Sequence, residues 1–148
     1  MSPDPSDALP PSARYFYPPH LDLDSNNSTS GFDDYRAEIT NDSTPVPISD
    51  TDSDIDDFDG GFITFAQINI NNQFPGDVLS VAGALPFRIF ATPFDPFTGI
   101  LTLYGFGSHS DYQTAIEQIR FSTDAPVGVT KSIAVWVFDD FWWSNQAN

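Results

Sequence analysis

The chain has 148 residues, which is long enough to bury a hydrophobic core. Aromatic residues make up 15% of it, which is too many for a wholly disordered chain. Its 21 acidic and 5 basic residues give a formal net charge of -16, which disfavours nucleic acids and anionic membrane faces as partners through simple repulsion. The sequence contains no cysteine, which excludes disulfide and thiolate chemistry. No apolar run approaches the length that inserts into a membrane.

The acidic residues are unusual in kind, because all but Glu38 and Glu117 are aspartate. Aspartate favours turns over helices, so this bias indicates acidic loops. Loops rich in carboxylates suit hard cations such as Ca²⁺. The solubility of a salt-tolerant extracellular protein explains the composition equally well.

Residues 1–20 are rich in proline and poor in aliphatic side chains. This composition predicts an extended arm without a core of its own, followed by one folded domain over residues 21–148. The arm carries three consecutive aromatic residues, Tyr15-Phe16-Tyr17. We interpret this cluster as a segment that packs onto the domain or a neighbour, with an exposed patch as the alternative.

The order of elements predicts an all-β fold. Residues 21–60 contain more than half of the acidic residues and only two short extended segments, Tyr35–Thr40 and Val46–Ser49. Beyond them, apolar strands separated by Gly, Pro and Asp recur at intervals of roughly 8–15 residues, which favours an antiparallel β-sandwich. One short helix is predicted over Ser110–Gln118, where apolar residues recur at helical spacing. Strands are expected at Phe62–Asn71, Val78–Val81, Phe87–Ala91, Ile100–Tyr104, Ile119–Ser122 and Ser132–Phe138. The expected core is Ile68, Ile70, Leu79, Ile89, Leu101, Leu103, Ile119, Phe121, Val135 and Val137.

The densest acidic segment is DTDSDIDDFDGG, residues 50–61. Like-charge repulsion disfavours so many carboxylates in one folded loop unless a cation lies among them or they extend into water. Ca²⁺ accepts roughly six to eight oxygen ligands in irregular loops. An EF-hand is excluded because the sixth position is not glycine and the twelfth is not glutamate. We predict that part of this loop binds Ca²⁺, with a solvated acidic turn as the alternative. The aspartates concerned are Asp50, Asp52, Asp54, Asp57 and Asp59.

A longer pattern surrounds this segment. Residues 76–122 read GDVLSVAGALPFRIFATPFDPFTGILTLYGFGSHSDYQTAIEQIRFS, and SIAVWVFDD and SN follow. Together with LDLD at Leu21–Asp24 and the acidic run at Asp50–Asp59, this pattern resembles the repeat unit of bacterial cadherin-like domains. Such domains occur in giant adhesins, in RTX-type exoproteins and in Rap-type rhizobial adhesion proteins.

The resemblance implies an Ig/cadherin-like β-sandwich in which acids at the first and last strands complete a Ca²⁺ site between modules. Asp22 and Asp24 open the repeat, and Asp139 closes its last strand. The chain departs from the pattern where Asp140 replaces a glycine and where residues 141–143, FWW, replace small polar residues. The predicted metal ligands are Asp22, Asp24, Asp50, Asp52, Asp57, Asp59 and Asp139.

The sequence gives little support for catalysis. His20 and His109 are the only histidines, and the adjacency of Ser, His and Asp in GSHSD does not create a catalytic triad. No carboxylate pair stands in a motif of its own. We therefore predict a protein that is not an enzyme.

The resemblance and the acidic loops together imply a secreted or cell-surface adhesion or matrix module in which Ca²⁺ is structural. Its expected partners are neighbouring domains or copies of itself, and surface polysaccharide is a further candidate. Phe141, Trp142 and Trp143 are the predicted contact residues; successive strand side chains point to opposite faces, so at least one is expected to be exposed in the isolated domain or covered by the arm, a neighbour or a sugar. Trp136 is a candidate for either sugar stacking or the core. The alternatives are a lectin proper and a self-assembling structural subunit of a surface filament or matrix.

Overall fold

The computed structural model describes residues 18–29, 33–37, 44–56, 62–124, 130–139 and 143–148. Within these ranges the protein forms nine β-strands in antiparallel sheets and one short helix, which confirms the prediction of a mainly β fold with one helix. Most of the predicted arm, residues 1–17, lies outside the described residues, as does the second half of the extended segment Tyr35–Thr40. Its first half, Tyr35–Ala37, is described and forms no strand.

The largest sheet has four antiparallel strands. Its central strands alternate buried and less buried residues, because successive side chains of a strand point to opposite faces. Ile68 lies opposite both Leu101 and Val135, so three neighbouring strands bury apolar side chains on the same face. The strands in spatial order are β6 (Phe90–Ala91), β7 (Ile100–Gly107), β4 (Ile63–Ile70) and β9 (Ile133–Phe138).

Two smaller sheets complete the strand arrangement. In the three-stranded sheet, Leu79 lies opposite Phe121, and both are buried. In the two-stranded sheet, Leu21 lies opposite Ile55. The three-stranded sheet contains β2 (Val46–Pro47), β8 (Ile119–Ser122) and β5 (Val78–Val81), and the two-stranded sheet contains β1 (His20–Asp22) and β3 (Asp54–Asp56).

One hydrophobic cluster joins the three sheets and the helix. All ten predicted core residues are buried in it, because each occupies an inward position on or beside a strand. The cluster also contains residues that the sequence analysis did not include, among them Leu21, Leu23 and Ile55. These three belong to the acidic segments, where alternating aspartates conceal the strand pattern.

The helix, α1, spans His109–Glu117 and begins one residue before the predicted start. The Ser108 hydroxyl accepts a hydrogen bond from the Asp111 backbone N–H at 3.1 Å, and the Asp111 carboxylate accepts one from the Ser108 N–H in return. This capping box satisfies backbone donors that a helix start leaves unpaired. The predicted apolar stripe is buried, and the Tyr112 hydroxyl donates to the Gly105 carbonyl oxygen at 2.5 Å.

The last described residues are tied to β1. The Asn145 side chain accepts a hydrogen bond from the Leu21 N–H at 2.8 Å and donates one to the Leu21 carbonyl oxygen at 2.9 Å. Ser144 is held in turn by β9, since its N–H donates to the Val137 carbonyl oxygen at 2.8 Å. Within the described ranges no helix has the length and apolar character that a membrane crossing needs.

Candidate metal centre

Two acidic loops meet at one end of the β1–β3 pair. Because β1 and β3 are antiparallel, the residues that follow β1 lie beside those that precede β3. The Asp50 N–H donates to the Leu23 carbonyl oxygen at 2.9 Å, and the Ser25 hydroxyl donates to the Asp52 carbonyl oxygen at 2.7 Å. These bonds hold the two loops against each other.

The loops bring three predicted ligands together. Asp24, Asp50 and Asp52 each offer a carboxylate oxygen, and these atoms all lie within 4.8 Å of one another. Asp24 is 0% exposed, and the other two are partly buried. Three carboxylates this close repel one another in the folded state unless a cation or a proton is shared among them. We call this group the acidic triad.

Asp24 is surrounded by hydrogen-bond donors of its own loop. Its carboxylate accepts from the Ser28 N–H at 3.0 Å, from the Thr29 N–H at 2.7 Å and from the Thr29 hydroxyl at 2.7 Å. Asn27 adopts a left-handed backbone with φ of 56°, and its N–H donates to the Asp24 carbonyl oxygen at 2.9 Å, which turns the chain around the carboxylate. Donors to a charged acceptor stabilise the ionised form of a buried acid.

The other two triad members are less fully satisfied. Asp50 accepts from the Ser28 hydroxyl at 3.0 Å and from the Thr51 N–H at 2.7 Å. Asp52 accepts from the Asn26 N–H at 3.1 Å through Oδ2. Its Oδ1 is buried and has no hydrogen-bond partner among the described residues. A cation between the three carboxylates could supply a partner for this buried oxygen.

Two further acids border the triad, and both have a raised pKa. Burial raises the pKa of the Glu117 carboxyl, and the nearby charges of Asp52 and Asp50 raise it further, against a hydrogen bond from the Ser53 hydroxyl at 2.5 Å. Burial also raises the pKa of Asp22, with Asp33 and Asp24 contributing in the same direction. The negative potential of the triad therefore reaches α1 on one side and β1 on the other.

The donor set indicates which metal fits. All candidate ligand atoms in the triad are carboxylate oxygens, whereas Zn²⁺ prefers nitrogen and sulfur ligands. Mg²⁺ keeps several waters and uses one or two carboxylates, while Ca²⁺ tolerates several carboxylates in flexible geometry. The triad therefore suits Ca²⁺ best.

The remaining predicted metal ligands have different positions. Asp22 lies beside the triad and accepts a hydrogen bond from the Asp24 N–H at 3.0 Å. Asp139 is buried just after β9 and is not part of the group of three. Asp57 and Asp59 lie outside the described residues, so the predicted pair on either side of Phe58 stays a prediction.

Of the predicted contact residues, Phe141 and Trp142 also lie outside the described residues. Trp143 is 47% exposed, which confirms that at least one residue of the FWW segment faces solvent. Its ring centroid is 5.0 Å from that of Phe138. Trp136 is partly buried on β9.

An aromatic band that was not predicted from the sequence crosses the four-stranded sheet. Phe65 on β4 lies opposite Tyr104 on one side and Phe138 on the other, and Tyr104 lies opposite Phe90. Ring centroids are 5.6 Å apart for Phe90 and Tyr104 and 6.3 Å apart for Phe65 and Phe138. The sequence signal for this band was the presence of aromatic residues at outward-facing positions of strands whose residues alternate between buried and exposed. We call Phe90, Tyr104, Phe65, Phe138 and Trp143 the aromatic face.

Another buried aspartate, Asp77, lies in the turn before β5. Its carboxylate accepts from the Lys131 ammonium group at 2.8 Å, from the Thr123 hydroxyl at 2.5 Å and from the Phe74 N–H at 2.9 Å. Burial disfavours the charged form of Asp77, but these bonds outweigh it and lower the pKa of the carboxyl. The Lys131 ammonium group also lies 4.3 Å from the centroid of the Phe74 ring, a favourable cation–π position.

No family model, curated protein or solved structure matches this chain. The resemblance to cadherin-like domains therefore stays a prediction, and the candidate site is argued from its geometry.

Proposed function

We propose that the protein is a non-enzymatic module of extracellular adhesion or matrix type, an Ig/cadherin-like β-sandwich stabilised by Ca²⁺. One observation carries the proposal: the acidic triad gathers three carboxylates within 4.8 Å, and one of their oxygens is buried without a hydrogen-bond partner among the described residues. A structural cation explains both features.

The packing of the two larger sheets supports the sandwich. Ile68 and Val135 on the four-stranded sheet share one hydrophobic cluster with Leu79 and Phe121 on the three-stranded sheet. Two sheets that bury their inner faces against each other are the basis of sandwich folds. The helix α1 closes part of the same core through Tyr112.

In this role the ion acts on the loops and performs no reaction. Ca²⁺ would neutralise the repulsion among Asp24, Asp50 and Asp52 and cross-link the loop after β1 to the loop before β3. A ligand that binds only the folded state stabilises it by RT ln(1 + [L]/Kd), which is about 2.7 kcal/mol when the free concentration is 100 times Kd. A module exposed to millimolar extracellular calcium would gain rigidity in this way without disulfides.

A calorimetric calcium titration of the full chain, after chelation, tests the proposal. We expect a saturable heat of binding and a rise in melting temperature of roughly 10 °C at saturation. Asp52→Asn should remove most of both, because it alters the carboxylate with the unpaired oxygen. Asp56→Asn is the matched control, since Asp56 is exposed on β3 and loses the same charge.

If salt only screens the repulsion among the carboxylates, a different result is expected for the same samples. If Na⁺ at matched ionic strength stabilised the protein as well as Ca²⁺, and no saturable heat appeared, the triad would be a solvated acidic turn. Mg²⁺ at equal concentration should stabilise much less than Ca²⁺.

The aromatic face favours a second candidate function, that of a self-assembling subunit that buries this surface against the next copy. A neutral polysaccharide stacked on the same rings is the lectin alternative. Both require the face to be open to an external partner. Growth of assemblies with protein concentration would support the subunit, and glycan binding by the monomer would support the lectin.

A further inference from the structure

The outer surface of the four-stranded sheet is the least charged part of the described fold. None of its four strands contains an acidic or basic residue, although the chain carries a net charge of -16. The aromatic face crosses this surface from β6 to the residues after β9.

The aromatic face is contiguous and exposed. Phe90, Tyr104, Phe65 and Trp143 are 41–55% exposed, with partly buried Phe138 between Phe65 and Trp143. Single exposed aromatic residues such as Phe97 are ordinary, but a connected apolar surface is usually covered by a partner.

The N-terminal arm begins beside one edge of this surface. Leu21 is hydrogen-bonded to Asn145 through both backbone groups, and Asn145 follows Trp143 by two residues. Tyr15, Phe16 and Tyr17 precede His20 by three to five residues. An extended chain covers about 3.5 Å per residue, so these aromatics reach about 10–18 Å from His20. Strands lie about 4.8 Å apart, so β6 and β9 are separated by about 14 Å.

The part of the arm next to the domain also has the charge and stiffness that suit this surface. Residues 8–19 contain no acidic residue and one basic residue, Arg14, in a chain whose next forty residues hold most of its acids. A segment without negative charge avoids the repulsion that the rest of this protein imposes on its own acidic parts. Proline at positions 10, 11, 18 and 19 limits the conformational freedom lost on docking.

We propose that the arm of the same chain docks across the aromatic face, with Tyr15, Phe16 and Tyr17 packing on its rings. The contact is intramolecular, because a short tether gives the arm an effective concentration of about a millimolar at this surface. The docking does not depend on a metal at the acidic triad. It makes the arm a cover that an external partner must displace before it reaches the rings.

Spin labelling of the arm tests this contact directly. The chain has no cysteine, so Ser12→Cys provides a unique attachment site in the full-length protein. We expect the label to reduce amide NMR intensities along β4, β7 and β9 more strongly than along β2, β5 and β8. The triple variant Tyr15→Ser, Phe16→Ser, Tyr17→Ser should lose this difference, and Leu9→Ser, a control on the same arm, should retain it.

A mixed sample distinguishes the same chain from a second copy. Spin-labelled protein without ¹⁵N is added to ¹⁵N protein without the label, and we expect no loss of intensity along β4, β7 and β9. A loss in this sample would show that the arm docks on another copy and would overturn the intramolecular proposal. Uniform, weak effects in the first sample would show a free arm and leave the face to an external ligand, which also overturns it.

Discussion

Two buried aspartates in this protein are stabilised in opposite ways. Asp77 lies against a lysine that is itself almost completely buried, and it also accepts from a hydroxyl and a backbone N–H. Asp24 is equally buried, but its nearest ionisable partners in the acidic triad are two more carboxylates. Hydrogen-bond donors of its own loop offset part of its charge.

The two sites differ in whether the protein supplies the countercharge of a buried carboxylate. The Asp77–Lys131 pair carries its own countercharge, so the turn before β5 needs nothing from solution. The acidic triad collects negative charge from two loops and extends it to Glu117 and Asp22. A buried charge without its countercharge is costly, and a proton or a bound cation would lower that cost.

The largest expected effect comes from removing the lysine of the Asp77–Lys131 pair. Lys131→Met should lower the free energy of unfolding by about 3–5 kcal/mol, because it leaves the Asp77 carboxylate buried and unpaired. Chemical denaturation with and without Ca²⁺ should give the same loss. Arg88→Met is the control for removal of one exposed cation and should cost far less. A loss that disappeared in Ca²⁺ would contradict the independence of the two sites.

Asp50→Asn should have a smaller effect whose sign depends on calcium. Without Ca²⁺ the variant should be more stable by about 1 kcal/mol, the scale of repulsion between unit charges 4 Å apart in a watery environment. With saturating Ca²⁺ it should be less stable than the parent, because a ligand is lost. Denaturation curves in chelator and in Ca²⁺ reveal the crossing; a variant that is destabilised equally in both would show that Asp50 is a hydrogen-bond residue only.

The smallest expected effect is on the pH dependence of stability. The pKa of Glu117 is raised in the folded state above its ordinary value of 4.5, so its protonation favours folding. In chelator, this contribution should be fully present below about pH 4.5 and should be lost as the pH rises through the folded pKa. Glu117→Gln should flatten that part of the profile. Asp77 has the opposite sign, because its pKa is lowered, and its contribution is lost only as the pH falls below 3.8.

Strands with apolar side chains on a regular period were predictable from the sequence. Val78–Val81 and Ile119–Ser122 have the predicted bounds, and the helix is displaced by one residue. β1 and β3 were missed because each is three residues long and contributes a single apolar side chain, Leu21 or Ile55. Their pairing depends on tertiary contacts that a local pattern does not contain.

That aspartates form the candidate site was predictable from the sequence, but which aspartates come together was not. Asp24, Asp50 and Asp52 were among seven predicted ligands, but only the pairing of β1 with β3 brings residue 24 to residues 50 and 52. Glu117 was missed because it reaches the triad from α1 through a packing contact. The Asp77–Lys131 pair was missed for a similar reason, since 54 residues separate its members.

The bonds between Asn145 and Leu21 have a mechanical consequence. They place the two ends of the described fold side by side, so tension applied through His20 and Asn148 would load these two hydrogen bonds together with the backbone bonds that join Ala147 to Val135 on β9. Asp24 follows three residues later, so the force would pass next into the loops of the acidic triad. Forced unfolding is governed by the unfolding rate, and a cation that holds these loops together would slow that rate on the β1 side of the load.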